Sequence, residues 1–305
     1  MKNYFYFAAL TLGMSIISCT KNEILKSEEQ LLRISYTSKT DNTERDYFLY
    51  LPKGYDQNSD KKWPVIMFLH GDGERGNGKD ELDYTLIHGP LYETWIQKRD
   101  LPFIMIVPQM HMFGRDTLGI SYIDNRSLDW IPKRLAKGIP ERPNIFSSDQ
   151  PMSGAIAAET IPGSIRTDAG WDNQEDDLME MIDRTLKEYQ ADVKRVYLSG
   201  LSYGGAGTWF VASKNPKRFA AICPIVGWGH PDLMDSIAAH KIPVWEFAGG
   251  RDQGIEYYYA GLNKLEKLGH RNIRFTIHED MGHDTWRRVY GGEDIYNWFL
   301  EYSKE

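Results

Sequence analysis

The stretch Arg195-Val196-Tyr197-Leu198-Ser199-Gly200-Leu201-Ser202-Tyr203-Gly204-Gly205 decides the fold. Its first part is apolar and β-branched enough to read as a strand, and the run 204–214 after it reads as a helix. Between them lies Gly-x-Ser-x-Gly. A serine on so sharp a strand-to-helix turn needs small residues on both sides, because side chains at 200 and 204 would strike the neighbouring strand and helix. The helix N-terminus behind Ser202 favours developing negative charge. Five residues of this pattern are common, and alone they describe a glycine-rich turn with a solvated serine. The strand–turn–helix context carries the reading of Ser202 as a nucleophile.

Outward from this turn, strand and helix alternate. Toward the C-terminus, strands are predicted at 219–226, 244–248 and 273–278. Helices are predicted at 231–240, 257–268 and 294–302, the second ended by Gly269 as a cap. Toward the N-terminus, the runs 65–69 and 103–107 are unbroken apolar stretches, as expected of strands buried on both faces. The segments 31–36 and 46–51 read as further strands. Leu178, Met179, Ile182, Leu186 and Tyr189 fall at helical spacing before the strand 193–199. This alternation predicts an α/β fold, a mainly parallel central sheet with helices on both faces. Residues 111–170, rich in Gly, Pro, Ser and Asp, break the rhythm. They are too long for a plain connection and are expected to form an insertion or small cap before the nucleophile strand.

A serine nucleophile needs a base, an acid to orient it and donors for the oxyanion. Where the serine comes first in the chain, the acid follows on a late strand and the histidine comes last. Asp252, in the loop beyond the strand 244–248, is the predicted acid; Gly-x-Asp is also an ordinary surface turn. His283, in Met281-Gly282-His283-Asp284, lies just past the last strand and is the predicted base. His270 in a turn and His278 within a strand are placed less well, and Asp284 is a weak rival acid. The run Leu69-His70-Gly71-Asp72-Gly73-Glu74-Arg75-Gly76 follows the buried strand 65–69. Its glycines allow close backbone approach. The oxyanion donors are expected to be the N–H of Tyr203 and that of Asp72, with Gly71 as the alternative to Asp72. His70 precedes the serine and is expected to brace the loop. No His-x-x-x-His or paired-Cys arrangement holds a metal, and this chemistry needs no cofactor.

The chain has 305 residues, 41% hydrophobic and 26% charged, an ordinary globular composition, and a net charge of −7 that argues against a nucleic-acid partner. Its two cysteines cannot form a disulfide framework. Cys223 sits in an apolar run and reads as a buried, inert thiol. Cys19 ends a short apolar stretch that follows a cationic start. Residues 1–18 therefore read as a signal peptide, and Ile16-Ile17-Ser18-Cys19 resembles a bacterial lipobox. Cys19 is then expected to be lipidated, residues 19–30 to be a tether and 31–305 the catalytic domain. The protein is expected to be an exported, membrane-anchored lipoprotein of a bacterial envelope, or else periplasmic or secreted after ordinary cleavage near Ser18.

Together the run 70–76, the turn at Ser202, Gly250-Arg251-Asp252 and Gly282-His283-Asp284-Thr285-Trp286 resemble a group of bacterial α/β hydrolases. The group is variously described as predicted peptidases, as phospholipase/carboxylesterase-like or dienelactone-hydrolase-like, and as relatives of feruloyl and polyhydroxybutyrate esterases. The likeness covers about residues 45–110 and 171–302. It implies the α/β-hydrolase fold and hydrolysis of carboxylic esters, including acyl or aromatic esters of carbohydrates. This chain departs from the group at Asp72, where a small residue is usual, and in the length of 111–170. An acidic side chain at 72 is expected to disfavour anionic substrates or to bind a sugar hydroxyl. Trp130, Trp171 and Trp286 are candidates to line the substrate pocket, with ordinary packing as the competing explanation. The alternatives are a serine peptidase for short peptides and a non-catalytic binding lipoprotein.

Overall fold

The computed structural model describes residues 27–138, 148, 150 and 170–305. The predicted signal peptide, Cys19, most of the tether and much of the 111–170 insertion lie outside the described residues.

Eight strands form one sheet: β1 (Gln30–Thr37), β2 (Glu44–Leu51), β3 (Trp63–Leu69), β4 (Ile104–Val107), β5 (Ala191–Leu201), β6 (Ala221–Ile225), β7 (Val244–Gly249) and β8 (Ile273–His278). Their order is β1-β2-β4-β3-β5-β6-β7-β8. β2 runs antiparallel to both β1 and β4, and every other pairing is parallel. The helices are α1 (Ser121–Asp124), α2 (Glu175–Glu188), α3 (Tyr203–Lys214), α4 (Met234–Ala239), α5 (Ile255–Lys267), α6 (Trp286–Gly291) and α7 (Asp294–Leu300).

β3 shows why the sheet is covered on both sides. All seven of its residues are buried. Its side chains alternate: Val65, Met67 and Leu69 pack with Leu178 of α2, Trp209 of α3 and Ile237 of α4. Ile66 and Phe68 pack on the opposite face with Tyr290 of α6 and Phe299 of α7. Period-2 alternation in an all-apolar strand thus feeds two cores at once. Each such fully buried side chain contributes about 1.5–3 kcal/mol.

The elements lie where the sequence predicts them, with shifts at their ends. The predicted helix 231–240 is a short 3-10 turn, Pro231–Leu233, followed by α4. Gly269 does follow α5, at φ +78°. The short α6 was not anticipated.

Candidate active site

The parallel strands end on one edge, and the side chains singled out above come from the loops beyond β3, β5, β7 and β8. Ser202 sits between β5 and α3 at φ +54°, ψ −117°, a conformation that costs a non-glycine residue roughly 1–3 kcal/mol. Its N–H donates to the Ile225 carbonyl at 2.9 Å, which fixes the turn against β6. The turn closes because position 204 has no side chain. A Cβ there would lie 1.9 Å from the Leu69 carbonyl oxygen.

His283 opens a 3-10 turn after β8, and Asp252 follows β7. The two loops are joined by backbone bonds from Gly250 N–H to His278 and from Arg251 N–H to Met281, both 2.9 Å. His283 Nε2 lies 2.9 Å from Ser202 Oγ, and His283 Nδ1 lies 2.9 Å from Asp252 Oδ2. Asp252 is buried, at 5% exposure, whereas the His283 side chain is 48% exposed and open to a ligand. A third group had not been anticipated. Tyr258 of α5, itself buried, donates its hydroxyl to Asp252 Oδ2 at 2.9 Å. Burial, with Asp252 beside it, pushes the Tyr258 hydroxyl well above its ordinary range, so it stays a donor.

The loop after β3 approaches the serine closely, since a Cβ on Gly71 would stand 3.5 Å from Ser202 Cβ and 2.7 Å from Leu201 Cδ1. His70 holds this loop as expected. Its Nδ1 faces the Gly71 carbonyl at 2.6 Å, and its Nε2 accepts from the Met110 N–H at 2.9 Å. Burial lowers the imidazole to about 3, so it is neutral and structural. His270 and His278 lie elsewhere, the first against the Ile242 carbonyl and the second stacked on Phe247.

The Asp72 carboxylate is not available to a substrate, contrary to expectation. It accepts from Arg75 Nε, from Arg115 Nη2 and, at 2.6 Å, from the Tyr122 hydroxyl. Burial acts to raise this carboxyl, but the Tyr122 hydroxyl and the two guanidiniums outweigh it and hold it below its usual range.

Ser202 and His283 open into a cleft of about 950 Å³. Trp171, Phe210, Trp228, Tyr257 and Trp286 give it aromatic walls, and Arg251, Asp172 and Asp284 give it polar ones. Trp171 donates from Nε1 to the His70 carbonyl at 3.1 Å, so it both packs and lines. Trp286 stands edge-to-face on His283, with ring centroids 5.4 Å apart. Trp130 does not line the cleft; it is 60% exposed in a 3-10 turn at Leu128–Trp130. Just before it in the chain, Arg126 donates to the Gly73 and Arg75 carbonyls and so ties this segment to the 71–76 loop. Further along, Arg251 Nη1 donates to the carbonyls of Ser148 and Gln150, both at 2.8 Å, and so seats those two residues beside the 250–252 loop.

This geometry has counterparts among known proteins. The profile of the prolyl oligopeptidase family matches residues 164–268, which contain Ser202 and Asp252 but not His283. A bifunctional acetylxylan esterase/xylanase from Neocallimastix patriciarum is 35% identical over 79 residues, 26% of this chain and 11% of that protein. The crystal structure of a thermostable esterase superposes with a TM-score of 0.58 at 23% identity, covering 90% of this chain and 63% of that one. A ferulic acid esterase from the anaerobic fungus Anaeromyces mucronatus superposes with a TM-score of 0.51 at 15% identity, covering 92% of each chain. The chain has the α/β-hydrolase fold. Ser202, Asp252 and His283 follow β5, β7 and β8 in the Ser, Asp, His chain order of this fold. The chain spans only a small fraction of the curated relative and 63% of the esterase chain.

Proposed function

We propose that this α/β hydrolase is a serine esterase that cleaves carboxylic esters through an acyl-enzyme on Ser202. One observation carries the reading: His283 bridges Ser202 Oγ and buried Asp252 Oδ2 with one ring nitrogen on each, at 2.9 Å. Nε2 takes the serine proton as Oγ attacks the ester carbonyl carbon, and Nδ1–H holds the ring on Asp252, which stabilises the imidazolium. The tetrahedral oxyanion is received by the N–H of Tyr203, first in α3, and that of Asp72. Both open a helical turn and so lack an intrahelical acceptor. His283 then protonates the departing alcohol, and water repeats the sequence on the acyl-enzyme.

The substrates are acyl or aromatic esters of carbohydrates. The aromatic walls of the cleft suit flat groups, and the acetylxylan and ferulic acid esterases are relatives in sequence or in fold. The test is hydrolysis of p-nitrophenyl, acetyl-sugar and feruloyl esters by wild type and Ser202→Ala. Loss of the nucleophile is expected to cut kcat on the order of 10⁴-fold or more. A wild type that ignores every ester but cleaves short peptides moves the reading to a peptidase, the activity for which the matching family is named. The leader supports export and lipidation at Cys19; an intact mass without a diacylglyceryl group on the processed protein would refute the anchor.

A further inference from the structure

We infer that the Asp72 side chain is a positioning residue, which fixes the two halves of the oxyanion hole relative to each other. The inference rests on the serine-hydrolase reading of Ser202. The donors come from separate parts of the chain, Asp72 beyond β3 and Tyr203 at the start of α3, so something must set their separation. Asp72 holds Arg75 Nε through Oδ1 and Arg115 Nη2 through Oδ2. Both guanidiniums stand over the Tyr203 ring, 5.2 Å and 5.3 Å from its centroid. One carboxylate therefore grips, through two cations, the side chain of the residue that offers the other N–H.

The clamp is anchored on every side. Arg75 is fully buried and donates from Nη1 to the His111 carbonyl at 2.8 Å. Tyr122 of α1 adds its hydroxyl to Asp72 Oδ2 at 2.6 Å. The planar guanidiniums suit this task, since they bind a carboxylate edge-on and an aromatic ring face-on at the same time. The same arrangement gives the early insertion residues Arg115 and Tyr122 a role at the reacting centre although they lie outside the cleft lining.

A positioning role and a field effect predict opposite signs. Across Asp72, Arg75 and Arg115, one negative charge stands against two positive ones. Asp72→Asn removes the negative charge and leaves the site more favourable to an oxyanion. If the cluster acted only through its field, the variant would be faster. If it positions the donors, the variant is slower despite the favourable charge.

The experiment measures the second-order rate of Ser202 labelling by a fluorophosphonate, whose phosphoryl oxygen occupies the oxyanion hole, together with kcat and KM on the best ester. Asp72→Asn is expected to label and turn over roughly 10- to 100-fold more slowly, below the 10²–10³ cost of deleting a donor outright, with KM within about threefold. Arg115→Met, less buried and so safer for folding, is expected to show the same split more weakly. Folded Asp72→Asn labelling at the wild-type rate or faster overturns the inference, whatever Arg115→Met does; should Asp72→Asn not fold, Arg115→Met labelling at the wild-type rate overturns it. If the wild type is labelled but hydrolyses no ester, the esterase reading fails while the labelling comparison still decides the role of Asp72.

Discussion

Tyr258 donates its hydroxyl to Oδ2 of Asp252, the same oxygen that faces His283 Nδ1, and both contacts are 2.9 Å. The acid is thus oriented from the α5 side as well as by the imidazole. Tyr258→Phe keeps the ring and removes this donor. It is expected to lower kcat/KM on the order of tenfold, equivalent to about 1.4 kcal/mol in the barrier. Stability should fall by about 1.5–3 kcal/mol for a lost hydrogen bond to a buried carboxylate. Steady-state kinetics and denaturant melts check both. Asp284, paired with Arg287 at 3.6 Å and 42% exposed, supplies the control. Asp284→Asn, which alters a wall of the cleft but not the triad, should shift KM and keep kcat within about threefold, whereas Asp252→Asn should lose about 10⁴ in kcat. Equal losses at the two positions would mean the acid has been misassigned.

The 1.9 Å that separates a Cβ at 204 from the Leu69 oxygen makes Gly204→Ala a sensitive probe of the turn. The methyl group must push the start of α3 away from β3. Overpacking of this kind costs about 1–3 kcal/mol or more. Because the displaced atoms include the Tyr203 N–H, labelling of Ser202 by a fluorophosphonate should slow even in the fraction that folds. A variant that melts and labels like wild type would show that β3 and α3 do not meet here.

Stability should respond to pH through groups buried in neutral form. Burial lowers His70 to about 3, and burial with positive neighbours lowers His88 and His111 to about 4. Between the ordinary histidine value of 6.5 and these lowered ones, the unfolded chain binds more protons, so stability falls as pH falls through that window. Glu74 acts in the opposite sense. Burial raises it to about 7 from 4.5, the folded protein keeps its proton longer, and stability declines as pH rises between those two values. Glu74→Gln is neutral throughout. Its melting temperature relative to wild type should therefore climb from pH 4.5 to 7 and level off above. A difference that stays flat across that interval would show that Glu74 is not held protonated.

The parts of the fold legible in the sequence were those with a local physical signature. Unbroken apolar runs marked β3 and β4, and the glycine-flanked Ser202 announced its own turn. Asp252 and His283 were found because each follows an apolar strand within a few residues. Tyr258 was not found. In the run Tyr257-Tyr258-Tyr259 nothing distinguishes the tyrosine that meets Asp252 from its neighbours, since only the docking of α5 on β7 decides it. The Asp72 clamp was invisible for a related reason. Asp72 and Arg115 are far apart in the chain, and an unpaired aspartate reads as a free charge until the fold supplies its cations. Trp130 was misplaced because aromatic character reports a taste for burial or ligands but not which side of a loop a segment covers.

The backbone of Ser202 occupies a region that strains any side chain. At φ +54°, ψ −117° glycine sits comfortably and an L-residue does not. The position that the chemistry requires to be serine is one where conformational preference alone would select glycine. Optimising this sequence for thermal stability would therefore tend to erase the reactive hydroxyl first, and persistence of serine at 202 in laboratory evolution would measure selection on turnover rather than on folding.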